Sequence, residues 1–122
     1  MSNKVNWFEI AAQDLERAKN FYQKVFETDF TFVDMPSSPM YMFPMDEAAA
    51  GAGGALVKAE DNIPSTSGTI IYFSCQDLNH EASRIEPAGG KLLFPKTSLG
   101  EFGFMAHFID TEGNRIGLHS NA

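Results

Sequence analysis

The chain has 122 residues, a length typical of one domain, and an ordinary globular composition with 43% hydrophobic and 20% charged residues. Sixteen acidic residues against nine basic ones give a net charge of −7, which repels phosphate backbones and anionic lipids, so we expect no nucleic-acid or membrane partner. A single cysteine, Cys75, excludes an internal disulfide and a cysteine-rich zinc site.

The first half of the chain predicts one helix and four strands. The N-terminus lacks a signal-peptide hydrophobic region, and no apolar run is long enough to span a membrane, so we expect a cytoplasmic protein. A strand is predicted over residues 4–11, and Asp14 is a good N-cap for the amphipathic helix that follows. Further strands are predicted over 30–34, 40–43 and 54–58, with an acidic, Ala/Gly-rich loop at 46–53. The small residues Gly51-Ala52-Gly53-Gly54 are interpreted as a mobile flap over the cup.

The second half repeats this order after a polar linker at residues 60–68. A strand is predicted over 69–75, where Cys75 is expected to be a buried, unreactive thiol, and Asp77 caps the second helix. Gly89 and Gly90 end that helix, and strands follow at 91–94, 104–109 and 115–119. Gln13-Asp14-Leu15 recurs as Gln76-Asp77-Leu78, a shift of 63 residues (77 minus 14). This repeat predicts two duplicated modules that must pack against each other to bury their apolar sheet faces.

Two stretches of the chain carry a pattern that we recognise. Trp7-Phe8-Glu9-Ile10 followed by Asp14-Leu15-Glu16-Arg17-Ala18 resembles the opening of the vicinal oxygen chelate (glyoxalase/bleomycin resistance protein/dioxygenase) superfamily. His107-Phe108-Ile109-Asp110 followed by Glu112-Gly113-Asn114-Arg115-Ile116-Gly117-Leu118 resembles the final hairpin of that superfamily. The resemblance implies an α+β fold in a single domain over residues 1–122, with two βαβββ modules at about 4–59 and 68–120. They are expected to form one cupped, mostly antiparallel eight-stranded sheet with the helices outside.

The resemblance also implies where a divalent metal would be held, by His or Glu side chains from the first and last strands of each module. The corresponding positions here are Trp7, Ile70, Gly117 and the segment 54–56, none of which offers a ligand side chain. We therefore expect no metal at the usual site and no cofactor. A relocated divalent metal held by Glu9, His107 and His119 is the less favoured alternative.

Alternation along the strands predicts which side chains face the cup. The first strand places Val5, Trp7 and Glu9 there, the fifth places Ile70, Tyr72 and Ser74, and the eighth places Arg115, Gly117 and His119. The resemblance adds His107, at the position of a functional tyrosine in the extradiol dioxygenases. The predicted binding pocket therefore contains Trp7, Glu9, Tyr72, His107, Gly117 and His119, with Glu9 and His107 as candidate acid–base residues and Gly117 leaving room for a ligand.

Each pocket residue also has a purely structural interpretation. Trp7 could fill the core at the vacant metal position, and Glu9 could pair with Arg115 at a sheet edge. The two histidines could be ordinary hydrogen-bonded sheet residues, and Tyr72 could serve only in packing. These alternatives remain open at the level of the sequence.

Three functions are compatible with this pattern, because the fold alone does not determine function. The favoured one is a metal-free protein that binds a small organic molecule in the cup. The second is a lyase or isomerase of glyoxalase ancestry, metal-independent or with a relocated metal; metal-dependent lactoylglutathione lyase activity is not expected. The third is an interaction protein whose cup is filled by its own side chains. A homodimer is also expected, since the chain has more large apolar side chains than one small cup encloses, among them Phe94, Phe102, Phe104, Met40, Met42 and Met45.

Overall fold

The computed structural model describes residues 5–45 and 51–122, and within them the predicted strand–helix–three-strand order occurs twice. The first module consists of β1 (Trp7–Ala11), α1 (Leu15–Phe26), β2 (Thr31–Val33), β3 (Met40–Met42) and β4 (Gly53–Val57). The second consists of β5 (Tyr72–Cys75), α2 (Leu78–Ile85), β6 (Lys91–Ser98), a 3-10 helix (Gly100–Phe102), β7 (Phe104–Ile109) and β8 (Arg115–Ser120). The predicted strand start at Lys4 and residues 46–50 of the predicted loop lie outside the described residues. Gly53 and Gly54, which were predicted to belong to a flap, instead begin β4.

Each module forms a mixed four-stranded sheet, with strand orders β1-β4-β3-β2 and β5-β8-β7-β6. The first and last strands of each module pair in parallel, and the other pairs are antiparallel. The helix returns the chain to the end of the sheet where the first strand began, so the second strand runs in the same direction as the first. Two antiparallel turns follow, and the last strand is therefore again parallel to the first. The two βαβββ modules are thus confirmed, although the eight strands are divided between two hydrogen-bonded sheets instead of forming one.

Both helices begin where the repeated tripeptide predicts. The Asp14 carboxylate accepts a hydrogen bond from the Arg17 backbone N–H at 3.0 Å, and the Asp77 carboxylate accepts one from the Asn79 backbone N–H at 3.0 Å. These bonds satisfy backbone donors that have no partner within a first helical turn. In the described residues no helix has the length and apolar character needed to cross a membrane.

One core serves both modules and lies between the sheets and the helices. Phe21 and Tyr22 of α1 are buried, and the Phe21 ring lies 5.8 Å from the ring of Phe108 on β7. The Tyr22 hydroxyl donates to the Asp110 carboxylate at 2.7 Å, so a buried polar group of the first module is satisfied by the second. Neither module therefore has a complete core of its own.

A buried carboxylate fixes the second module on the first. Glu112, whose side chain is 0% exposed, accepts hydrogen bonds from the backbone N–H groups of Gln13 and Asp14 at 2.9 and 2.8 Å. Its other oxygen accepts from Arg17 Nε at 2.7 Å. Burial raises the pKa of the Glu112 carboxyl, but the hydrogen bonds from Arg17, Asp14 and Gln13 outweigh it, and the net pKa lies below its ordinary value. We refer to this cluster of Gln13, Asp14, Arg17 and Glu112 as the module clamp.

Most strand boundaries differ from the prediction by at least one residue, and the differences are large in β6 and β5. Strand β6 continues to Ser98 and includes Pro95, whereas the prediction ended at Phe94. Its pairing with β7 is irregular between Phe94 and Thr97, so the missing N–H of Pro95 interrupts no regular ladder. Strand β5 begins at Tyr72 and not at Thr69, although Ile71 O already accepts from the Gly117 N–H at 2.9 Å.

Candidate functional site

A groove with a volume of about 1020 Å³ lies where β1 of the first module approaches β5 of the second. Its lining includes the side chains that alternation assigned to the pocket face of these two strands: Val5, Trp7, Glu9, Ile70, Tyr72 and Ser74. Gly51 and Ala52, the two residues of the predicted flap that precede β4, also line it. The groove is therefore built jointly by the two modules, and its volume is at the upper end of the range that small-molecule sites occupy.

A cluster of phenylalanines, which the sequence analysis did not place in the pocket, forms the apolar part of the groove. The rings of Phe26 and Phe43 lie 4.6 and 5.5 Å from the ring of Phe73, and Phe8 lies 5.8 Å from it. A side chain at Gly54 would come within 2.4 Å of the Phe8 ring. The pairing of Phe8 with Gly54 on the neighbouring strand is the feature that could have indicated this ring, because a large ring that lies over a strand needs a residue without a side chain beneath it.

In the first module, the two polar groups of the groove contact each other along one strand. Trp7 Nε1 donates to the Glu9 carboxylate at 3.2 Å, and the two residues share a face of β1 because they are two positions apart. Trp7 is half-buried and Glu9 is exposed. Among the described residues, Glu9 forms no ion pair with Arg115, so that structural alternative is not observed.

In the second module, three polar side chains form a chain of hydrogen bonds across the sheet. The Tyr72 hydroxyl oxygen lies 2.6 Å from His107 Nε2, and Arg115 Nε donates to His107 Nδ1 at 3.0 Å. The rings of Tyr72 and Phe94 cover His107, which is 5% exposed. Burial lowers the pKa of His107, and the charge of Arg115 lowers it further, so the imidazole is neutral at neutral pH. We refer to Arg115, His107 and Tyr72 as the relay.

Gly117 provides the space for the relay. Tyr72 and His107 are each paired with Gly117 across the sheet, on opposite sides of β8. A Cβ atom at Gly117 would lie 2.4 Å from the Tyr72 ring, so only glycine lets the ring cross the strand towards His107. The prediction that Gly117 leaves room for a ligand is therefore corrected: the ring of Tyr72 occupies that space.

His119 does not join the relay. Its Nε2 lies 2.7 Å from the backbone oxygen of Phe102, in the 3-10 helix that precedes β7. Glu9, His107 and His119 thus have three separate sets of partners. Within residues 5–45 and 51–122, no three His, Cys, Asp or Glu side chains are grouped closely enough to hold a metal ion.

The residues at the positions implied by the resemblance do not fit a divalent metal either. Trp7 is hydrogen-bonded to Glu9, Ile70 has no donor atom in its side chain, and the ring of Tyr72 covers Gly117. A divalent metal requires carboxylate, imidazole or thiolate ligands that converge on one point. We therefore assign no chemical step to a metal in this protein.

Cys75 lies on β5 and is half-buried, with no disulfide partner. Burial raises the pKa of its thiol to about 12, and the neighbouring Glu81 carboxylate contributes to the rise. Because the thiolate is the reactive form, the thiol is unreactive at neutral pH, as expected, although the side chain is half-buried and not buried as predicted.

Comparison with known proteins identifies relatives over nearly the whole chain. A glyoxylase-like domain-containing protein from Didymella fabae is 33% identical over 121 residues, covering 93% of this chain and 91% of that protein. Mycobacterial proteins named CFP32, from Mycobacterium bovis and Mycobacterium tuberculosis, are 25% identical over 116 residues. This chain spans only 44% of the length of those two relatives.

Solved structures share the fold at low sequence identity. A glyoxylase/bleomycin resistance protein/dioxygenase domain from Frankia sp. EAN1pec has a TM-score of 0.76 and 14% identity, with full coverage of both chains. Glyoxalase I from Zea mays has a TM-score of 0.70 and 19% identity, covering 94% of this chain and 45% of that one. The family model of the Glyoxalase/Bleomycin resistance protein/Dioxygenase superfamily matches residues 4–118. With both modules in place and this match over nearly all its residues, the chain belongs to that superfamily.

Proposed function

We propose that this protein binds a small, mostly apolar organic molecule in the groove between its modules, without a metal. The observation that carries the proposal is the composition of the groove. Aromatic rings of Trp7, Phe8 and Phe73 line it, with a few polar groups, chiefly those of Glu9 and Tyr72. Apolar walls with a small number of oriented polar groups are typical of small-molecule sites.

The test uses N-phenyl-1-naphthylamine, an uncharged probe whose fluorescence rises in apolar surroundings. We expect saturable binding with one site per chain, together with quenching of Trp7, which is the single tryptophan. Ser74→Phe should weaken binding because Ser74 lines the groove. The matched control is Ser83→Phe, at another exposed serine, on α2, which should leave binding unchanged. Absence of saturable binding, or equal binding by both variants, would contradict the proposal.

The second candidate is a lyase or isomerase of glyoxalase ancestry, and the presence of Glu9 and Tyr72 in one groove favours it. A carboxylate and a hydroxyl can act as base and hydrogen-bond donor on a carbonyl compound. The version with a relocated metal is tested by adding zinc, nickel or manganese during thermal unfolding. A specific site would add about 2.7 kcal/mol of apparent stability at a hundredfold excess over its Kd. We expect none of these metals to raise the melting temperature. A rise that disappears in His107→Gln would support the relocated metal.

Assembly into a homodimer in the cytoplasm is part of the same proposal. Phe102 and Met45, two of the apolar residues considered for an interface, are 70% and 54% exposed. Phe104, in contrast, packs against the core and under Lys96. Light scattering should give twice the 13.5 kDa mass of one chain, and Phe102→Ser should favour the monomer.

A further inference from the structure

The groove between β1 and β5 carries a negative charge. Among the described residues that line it, Glu9 is the one with a charged side chain, and no Lys, Arg or His within 5–45 and 51–122 lines it. Glu9 also forms no ion pair with another described residue. The whole chain has a net charge of −7, so its overall field does not offset this carboxylate. A positive group is therefore attracted to the groove and an anion is repelled from it.

The carboxylate of Glu9 is oriented by its neighbour on the strand. Trp7 Nε1 donates to Glu9 Oε2 at 3.2 Å, and no described residue donates to Oε1. Glu9 is exposed and lines the groove, so its charge stays hydrated when the groove is empty. One oxygen of the carboxylate is thus held by the indole, and the other is free to approach a positive group of a bound molecule.

Aromatic rings form much of the remaining wall. Six aromatic residues line the groove: Trp7, Phe8, Phe26, Phe43, Tyr72 and Phe73. The face of such a ring carries a partial negative charge that attracts a cation within about 6 Å of the ring centre, and tryptophan attracts most strongly. An anion gains no such attraction, and a neutral molecule gains only apolar contact. The rings and the carboxylate therefore favour the same sign of charge.

We propose that the groove prefers small organic cations, of the class of quaternary or protonated amines with an apolar body. The inference rests on the proposed function, since it names the chemical class of the molecule bound there. The positive group lies beside Trp7 and Glu9, and the apolar body lies against the phenylalanine cluster around Phe73. Because Glu9 is exposed, the cation keeps part of its hydration, which limits the cost of moving its charge into an apolar groove.

The experiment compares two molecules of nearly the same shape, (4-hydroxymethylphenyl)trimethylammonium and 4-tert-butylbenzyl alcohol. In the alcohol a carbon atom replaces the nitrogen, and the positive charge is absent. Affinities are measured from the NMR shift of the Trp7 indole N–H, a single resonance because the chain has one tryptophan. We expect the cation to bind roughly fivefold to tenfold more tightly, the combined effect of one exposed ion pair and one cation–π contact.

The role of Glu9 is tested by Glu9→Gln, which removes the charge but keeps an oxygen that can accept from Trp7. The ratio of the two affinities should fall by roughly threefold, while the affinity for the alcohol is unchanged. The matched control is Glu86→Gln, at an exposed glutamate at the end of α2. It changes the net charge of the chain by the same amount and should leave the ratio unchanged.

The possible outcomes separate this inference from the proposed function. Saturable binding of both probes with equal affinity, or tighter binding of the alcohol, would overturn the cation preference and leave the proposed function intact. A cation preference that Glu9→Gln leaves unchanged, or that Glu86→Gln reduces equally, would overturn the assignment of the positive group to Glu9 and with it the inference. Failure of both probes to bind would overturn both.

Discussion

The two modules pass from strand to helix through the same Gln-Asp-Leu step, but the loops at this step are held in different ways. The loop of Asp14 is held by Glu112, which belongs to the other module. The loop of Asp77 is held within its own module, by Lys96 of β6, whose Nζ lies 3.0 Å from the Asp77 carboxylate. The start of α1 therefore depends on the other module, whereas the start of α2 does not.

The same asymmetry is found in the groove. The first module contributes Trp7 and Glu9, which are hydrogen-bonded to each other along one strand. The second contributes Tyr72, whose partners in the relay, His107 and Arg115, lie on two further strands and do not line the groove. A hydrogen bond between residues two positions apart on one strand requires only that both side chains point to the same face. The relay also requires the space that Gly117 leaves for the Tyr72 ring.

The largest effect is expected when the module clamp is broken by Glu112→Ala. This change leaves two backbone N–H groups and the Arg17 guanidinium without their acceptor. Loss of hydrogen bonds to a buried charge should lower the free energy of unfolding by roughly 2–4 kcal/mol. The free energy of unfolding is measured by urea denaturation, with circular dichroism as the signal. A loss below about 1 kcal/mol, the value of an exposed ion pair, would show that the clamp is not a structural anchor.

The clamp should also make stability depend on pH. The pKa of Glu112 in the folded protein lies below its ordinary value of 4.5, so its contribution is fully present above that value and is lost as the pH falls through the folded-state pKa. The stability difference between the unmodified protein and Glu112→Gln should therefore be constant near neutrality and shrink below about pH 4.5. A difference that persists unchanged into that acidic range would contradict the assignment.

An intermediate effect is expected for Gly117→Ala, which tests the gap beneath the relay. The added methyl group would lie 2.4 Å from the Tyr72 ring, so the ring must move away from His107. Overpacking of this kind should cost about 1–3 kcal/mol. In a Tyr72→Ala background the same substitution should cost much less, because the obstructing ring is absent. Equal costs in the two backgrounds, measured as a double-mutant cycle, would show that the ring and Gly117 are not coupled.

The smallest effect is expected for Lys96→Ala, in the second module. Its partner Asp77 is partly exposed, and Lys96 Nζ also lies 4.5 Å from the centre of the Phe104 ring. An exposed ion pair with a cation–π contact should contribute about 1 kcal/mol or less. If Lys96→Ala destabilises the protein as much as Glu112→Ala does, the proposed difference between the two modules is wrong.

The repeated order of elements and the helix starts at Asp14 and Asp77 could be predicted from the sequence. Both follow from local physics: side-chain periodicity and the capping of free backbone donors act within a few residues. These features need no knowledge of the rest of the chain. Alternation, in contrast, does not by itself describe the groove, because Phe8, Ile71 and Phe73 line it as well as the predicted Trp7, Glu9, Tyr72 and Ser74.

The contacts between residues that are distant in the sequence could not be predicted without the tertiary structure. In the sequence, Glu112 is one of several polar residues in a predicted hairpin turn. The packing of the two modules buries its side chain against Gln13 and Asp14, which are 99 and 98 positions away. Gly117 suggested an empty space until the ring of Tyr72 was seen to occupy it. The pairing of His107 with Tyr72 and Arg115 likewise depends on the register of three strands. Each of these contacts joins side chains from different helices, strands or loops. Their geometry therefore depends on strand register and on packing in the shared core, which no single segment of the chain specifies.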